Sequence, residues 1–304
     1  MTSNTAFRGI HVPLITPLDT GGRIATDALE RLARDVLDEG AAGIVALGTT
    51  AETATLDETE RHAVVDVCAR VCRERGATLI VGAGGNDTRR SAADLARLAA
   101  WPAVTAALVP VPYFTRPAQP GVLAHFTHLA AACPVPLIVY HVPLRTGQDL
   151  DADCLRALGR LPGVAGIKYA VGGIDPHAVE LLADPPPDFA VLAGDDTFVS
   201  PLLALGATGG IVASAHLATG RYAELAGAWA GGDLPRAREL GHRLSALSAA
   251  AFAGPNPTVI KGVLHAQGRI PTPDVRLPLL PAGREAIDLT LRRLAGLRPL
   301  AHGR

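Results

Sequence analysis

The chain has 304 residues, 48% hydrophobic and 19% charged, with 28 basic against 29 acidic side chains and a net charge of −1. That apolar share is enough for a sizeable core, and the balanced charge leaves no footprint for nucleic acid or an anionic membrane. No run of 18 apolar residues occurs, and the opening MTSNTAFRGI lacks the charged-then-apolar layout of a signal peptide, so a soluble, cytoplasmic protein is expected.

Apolar runs recur at 10–15, 44–47, 79–81, 106–109, 137–140, 164–168, 190–193 and 210–213. They are continuous rather than alternating, as strands covered on both faces should be. A polar loop and a helical pattern follow each, at spacings of roughly 20 to 35 residues that suit one βα unit apiece. In the first unit Thr26 is a candidate helix cap ahead of a stripe formed by Leu29, Leu32, Ala33, Val36 and Leu37, with Gly40 past its end. In the second, Asp57 and Glu60 have capping-box spacing before a helix that stops near Gly76. The prolines at 185–187 read as a stiff helix-to-strand loop, not a linker. Eight units predict a TIM (β/α)8 barrel over 1–232, with additional C-terminal helices over 233–304 packed on its outside. A doubly wound open sheet is the alternative; eight evenly sized units favour closure.

In such a barrel, chemistry belongs at the C-terminal ends of the strands. Those ends carry Gly48-Thr49-Thr50-Ala51-Glu52 after the second run, Tyr113 after the fourth, and Tyr140-His141 at the fifth with Arg145 beyond. Lys168-Tyr169 ends the sixth, and Gly194-Asp195-Asp196 closes the seventh. There are only two lysines, Lys168 and Lys261, and arginine supplies the rest of the basic residues. Where arginine serves for charge, a lysine that persists points to a need for a deprotonatable amine. Lys168 follows a packed strand, and burial disfavours the ammonium form, which makes a lysine nucleophilic toward a carbonyl. The alternative is a structural ion pair with a carboxylate such as Asp195. Lys261 lies in a helical stretch outside the barrel and is a poor rival.

Tyr140 places a phenol at the mouth, either for proton transfer or simply as a satisfied hydroxyl. Thr49 and Thr50 offer hydroxyls and backbone N–H groups suited to a carboxylate. Arg145 is either a bidentate carboxylate clamp or a surface arginine. His125 and His128 share a helix face without a third ligand and read as solvent-exposed. Cys68 and Cys72 read as small core residues, and four cysteines in so long a chain make no disulfide framework. No metal site is expected, and no dinucleotide fingerprint, phosphate loop or nucleophile elbow is present.

Taken in order, Ile15-Thr16-Pro17, the 48–52 turn, Pro112-Tyr113-Phe114-Thr115-Arg116-Pro117, Tyr140-His141-Val142-Pro143, Arg145-Thr146-Gly147, Gly166-Ile167-Lys168, Gly194-Asp195-Asp196 and Pro255-Asn256-Pro257 resemble the dihydrodipicolinate synthase / N-acetylneuraminate lyase family of class I, Schiff-base aldolases. The resemblance covers nearly the whole chain. It implies a lyase in which Lys168 forms an imine with a 2-keto acid, normally pyruvate, with no separate cofactor. Tyr140 and Thr49 would relay protons, Thr50 would help hold the keto-acid carboxylate, and Gly194 and Ile211 would line the pocket. Arg145 within Arg-Thr-Gly is similar to the branch whose aldehyde, aspartate semialdehyde, carries its own carboxylate, which implies a role in lysine biosynthesis. The family also implies a homo-oligomer, a dimer or a tetramer of tight dimers.

The chain departs from the family pattern at several points. The second tyrosine of Pro-Tyr-Tyr is Phe114, so a relay that crosses a dimer interface is broken or rerouted, through water, Thr115 or His141. Tyr169 stands where an acidic residue is usual, His141 where Asn is usual, and Ala51 where the turn has glycine. Arg89 and Arg90 occupy the region where feedback-inhibited synthases carry a glutamate, so lysine inhibition is not expected. Phe114 and Tyr169 keep open an aldolase or dehydratase of 2-keto-3-deoxy sugar acids, and the missing hydroxyl keeps open a non-catalytic keto-acid binder.

Overall fold

Each apolar run forms a strand, and the strands pair in chain order into a closed parallel barrel. The computed structural model describes residues 7–297. The strands are β1 Gly9–Pro13, β2 Gly43–Ala46, β3 Thr78–Gly82, β4 Val104–Pro110, β5 Leu137–His141, β6 Val164–Tyr169, β7 Ala190–Ala193 and β8 Gly209–Ile211, with β8 closing onto β1. The helices between them are α1 Thr26–Asp38, α2 Glu58–Arg75, α3 Thr88–Ala96, α4 Gln119–Ala132, the one-turn α5 Pro143–Thr146, α6 Ala152–Gly159, α7 Pro176–Ala183, α8 Val199–Ala204 and α9 Ala215–Ala230. After them, α10 Leu234–Ala251 packs on α8, α9 and α12 Arg284–Ala295, while α11 Thr258–Ala266 packs on α9 and α12.

The local signals act where the sequence places them, with two exceptions. Asp57 and Glu60 form the reciprocal capping box, and Gly76 ends α2 in the left-handed conformation. Thr26, expected as a cap, is instead the first helical residue of α1, and no side chain caps that helix. Its entry is held by tertiary bonding, Ala25 N–H to the Pro17 carbonyl at 2.9 Å. His125 is the second correction: it is buried, not solvent-exposed. At helical spacing it falls in the buried set Val122, His125, Phe126 and Leu129, and its Nδ1 lies 2.8 Å from Thr88 Oγ1 on α3. Cys68 and Cys72 are core residues, and all four cysteines are free.

Alternation along the strands splits the interior into two layers. Ile138, Tyr140, Leu192 and Ile211 pack with Val45, Ile80 and Leu108 inside the barrel. Leu137, Val139, Ile167 and Tyr169 pack in the larger layer between barrel and helices. Successive residues point to opposite faces, so Tyr140 and Lys168, which pair across β5 and β6, share the inner face.

His11, His141 and His216 are fully buried, and burial pushes each down to about 4. Each takes up a proton near 6.5 only on unfolding. The unfolded chain therefore binds more protons between about pH 4 and 6.5, and stability falls as pH drops through that window. Asp196, pushed up to about 6 by burial, and Asp195, also raised by burial, act in the opposite sense, but they are two groups against four once His125, lowered by burial as well, is counted. The urea midpoint is expected to fall from pH 6.5 towards 4; a rising midpoint would show that these rings are not held neutral.

Candidate active site

A cleft of about 790 Å³ opens at the C-terminal mouth and runs outward between α2 and α3. Its walls include Thr49, Tyr140, Arg145, Tyr113 and Asn256, and further out Arg61, Arg90 and Trp101. Thr50, Lys168, Gly194 and Ile211 do not line it; Thr50, Lys168 and Ile211 are buried at 3%, 7% and 1% exposure. Tyr140 joins the two groups, since its ring lines the cleft and its centroid is 4.2 Å from Lys168 Nζ.

Among the described residues no carboxylate pairs with the Lys168 amine. Asp195, the carboxylate that could have held it, accepts the Gly172 N–H at 2.6 Å instead. Asp196 is buried behind it and accepts from both the N–H and the hydroxyl of Ser214, which continues to Ser248 and Tyr222. The lysine stem fits because residue 194 is glycine. A Cβ there would stand 2.8 Å from Ala170 Cβ and 2.9 Å from Lys168 Cγ. Gly194 thus makes room for the amine's stem. Gly194→Ala is expected to cost about 1–3 kcal/mol of stability by overpacking and to slow reaction at Lys168, both measurable by denaturation and by the rate of borohydride trapping.

The turn after β2 is built tightly. Leu47 has φ +54°, and its carbonyl passes 2.1 Å from where a Cβ on Gly82 would lie, so β3 must end in glycine. Thr49–Ala51 form one 3-10 turn, and Glu52 closes it at φ +55°. Ala51 is right-handed, so the turn tolerates it where the family pattern expected glycine; the left-handed position is Glu52. Among the described residues the N–H groups of Thr49 and Thr50 have no acceptor, as expected for the open end of a turn, and they form an anion-seeking edge. The Thr50 hydroxyl accepts from Asn256 Nδ2 at 2.9 Å. The hydroxyls of Thr49 and Tyr140 carry no internal hydrogen bond among the described residues and are free for a ligand.

Arg145 is exposed at the rim on α5, without a carboxylate partner among the described residues. Tyr113 is 43% exposed and Phe114 is 89% exposed with φ +62°. Thr115 bonds back to the Tyr113 carbonyl on the same exposed loop. His141 does not serve a rerouted relay: it is 0% exposed, is absent from the cleft walls, and its Nε2 lies 3.3 Å from Asp149 outside hydrogen-bond geometry. Its ring stands 5.4 Å from that of Tyr169 in the outer layer. The Tyr169 hydroxyl donates to Asp175 at 2.7 Å, and Asp175 in turn caps α7. Both departures from the family pattern are therefore outer-layer residues. Lys261 is a poor rival, as its place outside the barrel suggests. It is not a free rival amine but is fully buried and bonded to Glu52 at 2.7 Å. The rarity of lysine singles out both buried amines, and only one of them is unpaired.

Among the described residues no three His, Cys, Asp or Glu side chains gather to hold a metal, and no helix is long and apolar enough to cross a membrane. A closed (β/α)8 barrel with an unpaired lysine and a tyrosine side by side at the ends of β5 and β6 defines a lyase of the class I aldolase type. Residues 6–294 match the dihydrodipicolinate synthetase family, and the chain belongs to it. It is 38% identical over 271 residues to the 4-hydroxy-tetrahydrodipicolinate synthase of Pseudomonas aeruginosa, covering 89% of this chain and 91% of that one. It is 34% identical over 275 residues to 4-hydroxy-tetrahydrodipicolinate synthase 2 of Clostridium acetobutylicum, covering 90% and 95%. The fold superposes with a TM-score of 0.89 on the chloride-inhibited dihydrodipicolinate synthase of Acinetobacter baumannii complexed with pyruvate, at 32% identity and with 95% and 98% of the two chains covered.

Proposed function

We propose that the protein condenses pyruvate with an aldehyde through an imine on Lys168, as a 4-hydroxy-tetrahydrodipicolinate synthase using aspartate semialdehyde. The observation that carries this reading is the unpaired, buried Lys168 amine lying over the Tyr140 ring, with the open N–H edge of Thr49 and Thr50 in the same mouth.

The uncharged amine attacks C2 of the keto acid, and loss of water gives the imine. The imine draws electrons from the methyl carbon, which loses a proton and becomes a nucleophilic enamine. That carbon adds to the aldehyde, and the amino group of aspartate semialdehyde then attacks the imine carbon, closing the ring and displacing the lysine amine. Tyr140 is placed to pass protons to and from the imine region. Thr49 and Thr50 suit the keto-acid carboxylate, and the unpaired rim guanidinium of Arg145 suits a second carboxylate on the aldehyde. No cofactor beyond the covalent imine is required. The same proposal includes a homo-oligomer, supported by the exposed Phe114 and Leu144 beside the mouth, and a cytoplasmic location.

Borohydride reduction in the presence of pyruvate, followed by peptide mass spectrometry, tests the reading: the reduced adduct is expected on Lys168. An adduct elsewhere, or none, overturns it. A second reading, cleavage or dehydration of 2-keto-3-deoxy sugar acids, is favoured by one observation, the missing hydroxyl at Phe114. Phe114→Tyr is expected to raise synthase turnover by about tenfold if a relay hydroxyl is what the site lacks. No gain, together with turnover of a keto-deoxy sugar acid by the unaltered protein, would favour the second reading.

A further inference from the structure

Lys261 on α11 is 0% exposed, and its Nζ donates to Glu52 Oε1 at 2.7 Å. The other oxygen of that carboxylate accepts the Arg276 N–H at 2.8 Å, and the Glu52 side chain is only 3% exposed. Burial pulls the Lys261 amine below the ordinary lysine range while Glu52 pulls it back up. Withdrawing two charges from water tends to offset their attraction, so a pair at this depth is weakly accounted for by stability alone; its best-attested use is to select one arrangement among several.

What this pair selects is the turn that carries Thr49 and Thr50. Glu52 occupies the left-handed position that closes the turn, and its N–H donates to the Thr49 carbonyl at 3.1 Å. Five residues before Lys261, Asn256 donates to the Thr50 hydroxyl at 2.9 Å. Two side chains from one C-terminal segment therefore end on residues 50 and 52 of the same short turn. A third tie lies just beyond it, where the Arg276 guanidinium donates to the Thr55 carbonyl at 2.8 Å and pairs with Glu60.

We propose that the Lys261–Glu52 ion pair is a positioning device for the keto-acid carboxylate: acting through Glu52, and with Asn256 on Thr50, it sets the shape of the Thr49–Thr50 edge. Lys261 itself does not touch the substrate. The inference rests on the reading of Thr49 and Thr50 as the keto-acid grip, and the experiment separates the two.

The readouts are the pyruvate concentration that half-saturates borohydride trapping and the maximal extent of trapping at Lys168. In Lys261→Met the half-saturating concentration is expected to rise by about tenfold or more, because a misplaced grip weakens binding of the carboxylate. Maximal trapping at saturating pyruvate stays close to that of the unaltered protein. The double variant Lys261→Met/Glu52→Gln leaves no orphaned buried charge, so its thermal midpoint should exceed that of the single variant while half-saturation stays high. If half-saturation recovers along with the thermal midpoint, the pair is only structural and the inference is overturned. Asn256→Ala, at a half-buried site, keeps the test decisive if Lys261→Met does not fold: raised half-saturation is expected, and an unchanged value overturns the inference. Absence of trapping in the unaltered protein would instead overturn the functional reading beneath it.

Discussion

Lys168→Arg is expected to lower turnover by about four orders of magnitude or more, the scale on which loss of a covalent nucleophile is felt. The guanidinium keeps the charge but cannot lose its proton and form an imine. The folded barrel should survive, because Lys168 has no carboxylate partner among the described residues whose pairing must be preserved. The stem lies close against Gly194, so a modest drop in the thermal midpoint is expected with native circular dichroism retained. Borohydride with pyruvate should leave the variant unlabelled. Residual turnover within about tenfold of the unaltered protein would rule out covalent catalysis at this position.

Tyr140→Phe carries the second largest effect, and it separates chemistry from binding. The ring packs under the cleft and against the Lys168 amine, and phenylalanine preserves that packing. Only the hydroxyl is lost, and it has no structural partner among the described residues to leave stranded. Stability should therefore hardly change, while turnover falls by about 10²–10⁴-fold, the usual contribution of a positioned proton donor or acceptor. Half-saturation by pyruvate should move little. A large rise in half-saturation with unchanged maximal turnover would make Tyr140 a binding group instead.

The barrel was legible because its signal is repeated: eight continuous apolar runs, each followed by a helical stripe, leave few architectures open. The positions of Lys168, Tyr140, Thr49 and Arg145 around the mouth were legible because each lies at or just past the C-terminal end of a strand. The pairings that stayed hidden join residues distant in sequence. Nothing near Lys261 announces Glu52, which is 209 residues away, and Asn256 is 206 residues from Thr50. His125 was misjudged for the same reason, since its partner Thr88 belongs to the neighbouring helix. His141 shows a different failure. Its adjacency to Tyr140 in the chain suggested adjacency in the site, whereas the pleat of β5 turns the two side chains to opposite layers.

That alternation makes the enzyme's wiring effectively digital. Sliding β5 or β6 by a single residue would exchange a phenol for an imidazole, or an amine for a phenol, at the catalytic address. Loops around the mouth can lengthen, shorten or change composition as substrates diverge, but the parity of these two strands has only one working value. Insertions tolerated during divergence should accordingly fall between strands, never within them.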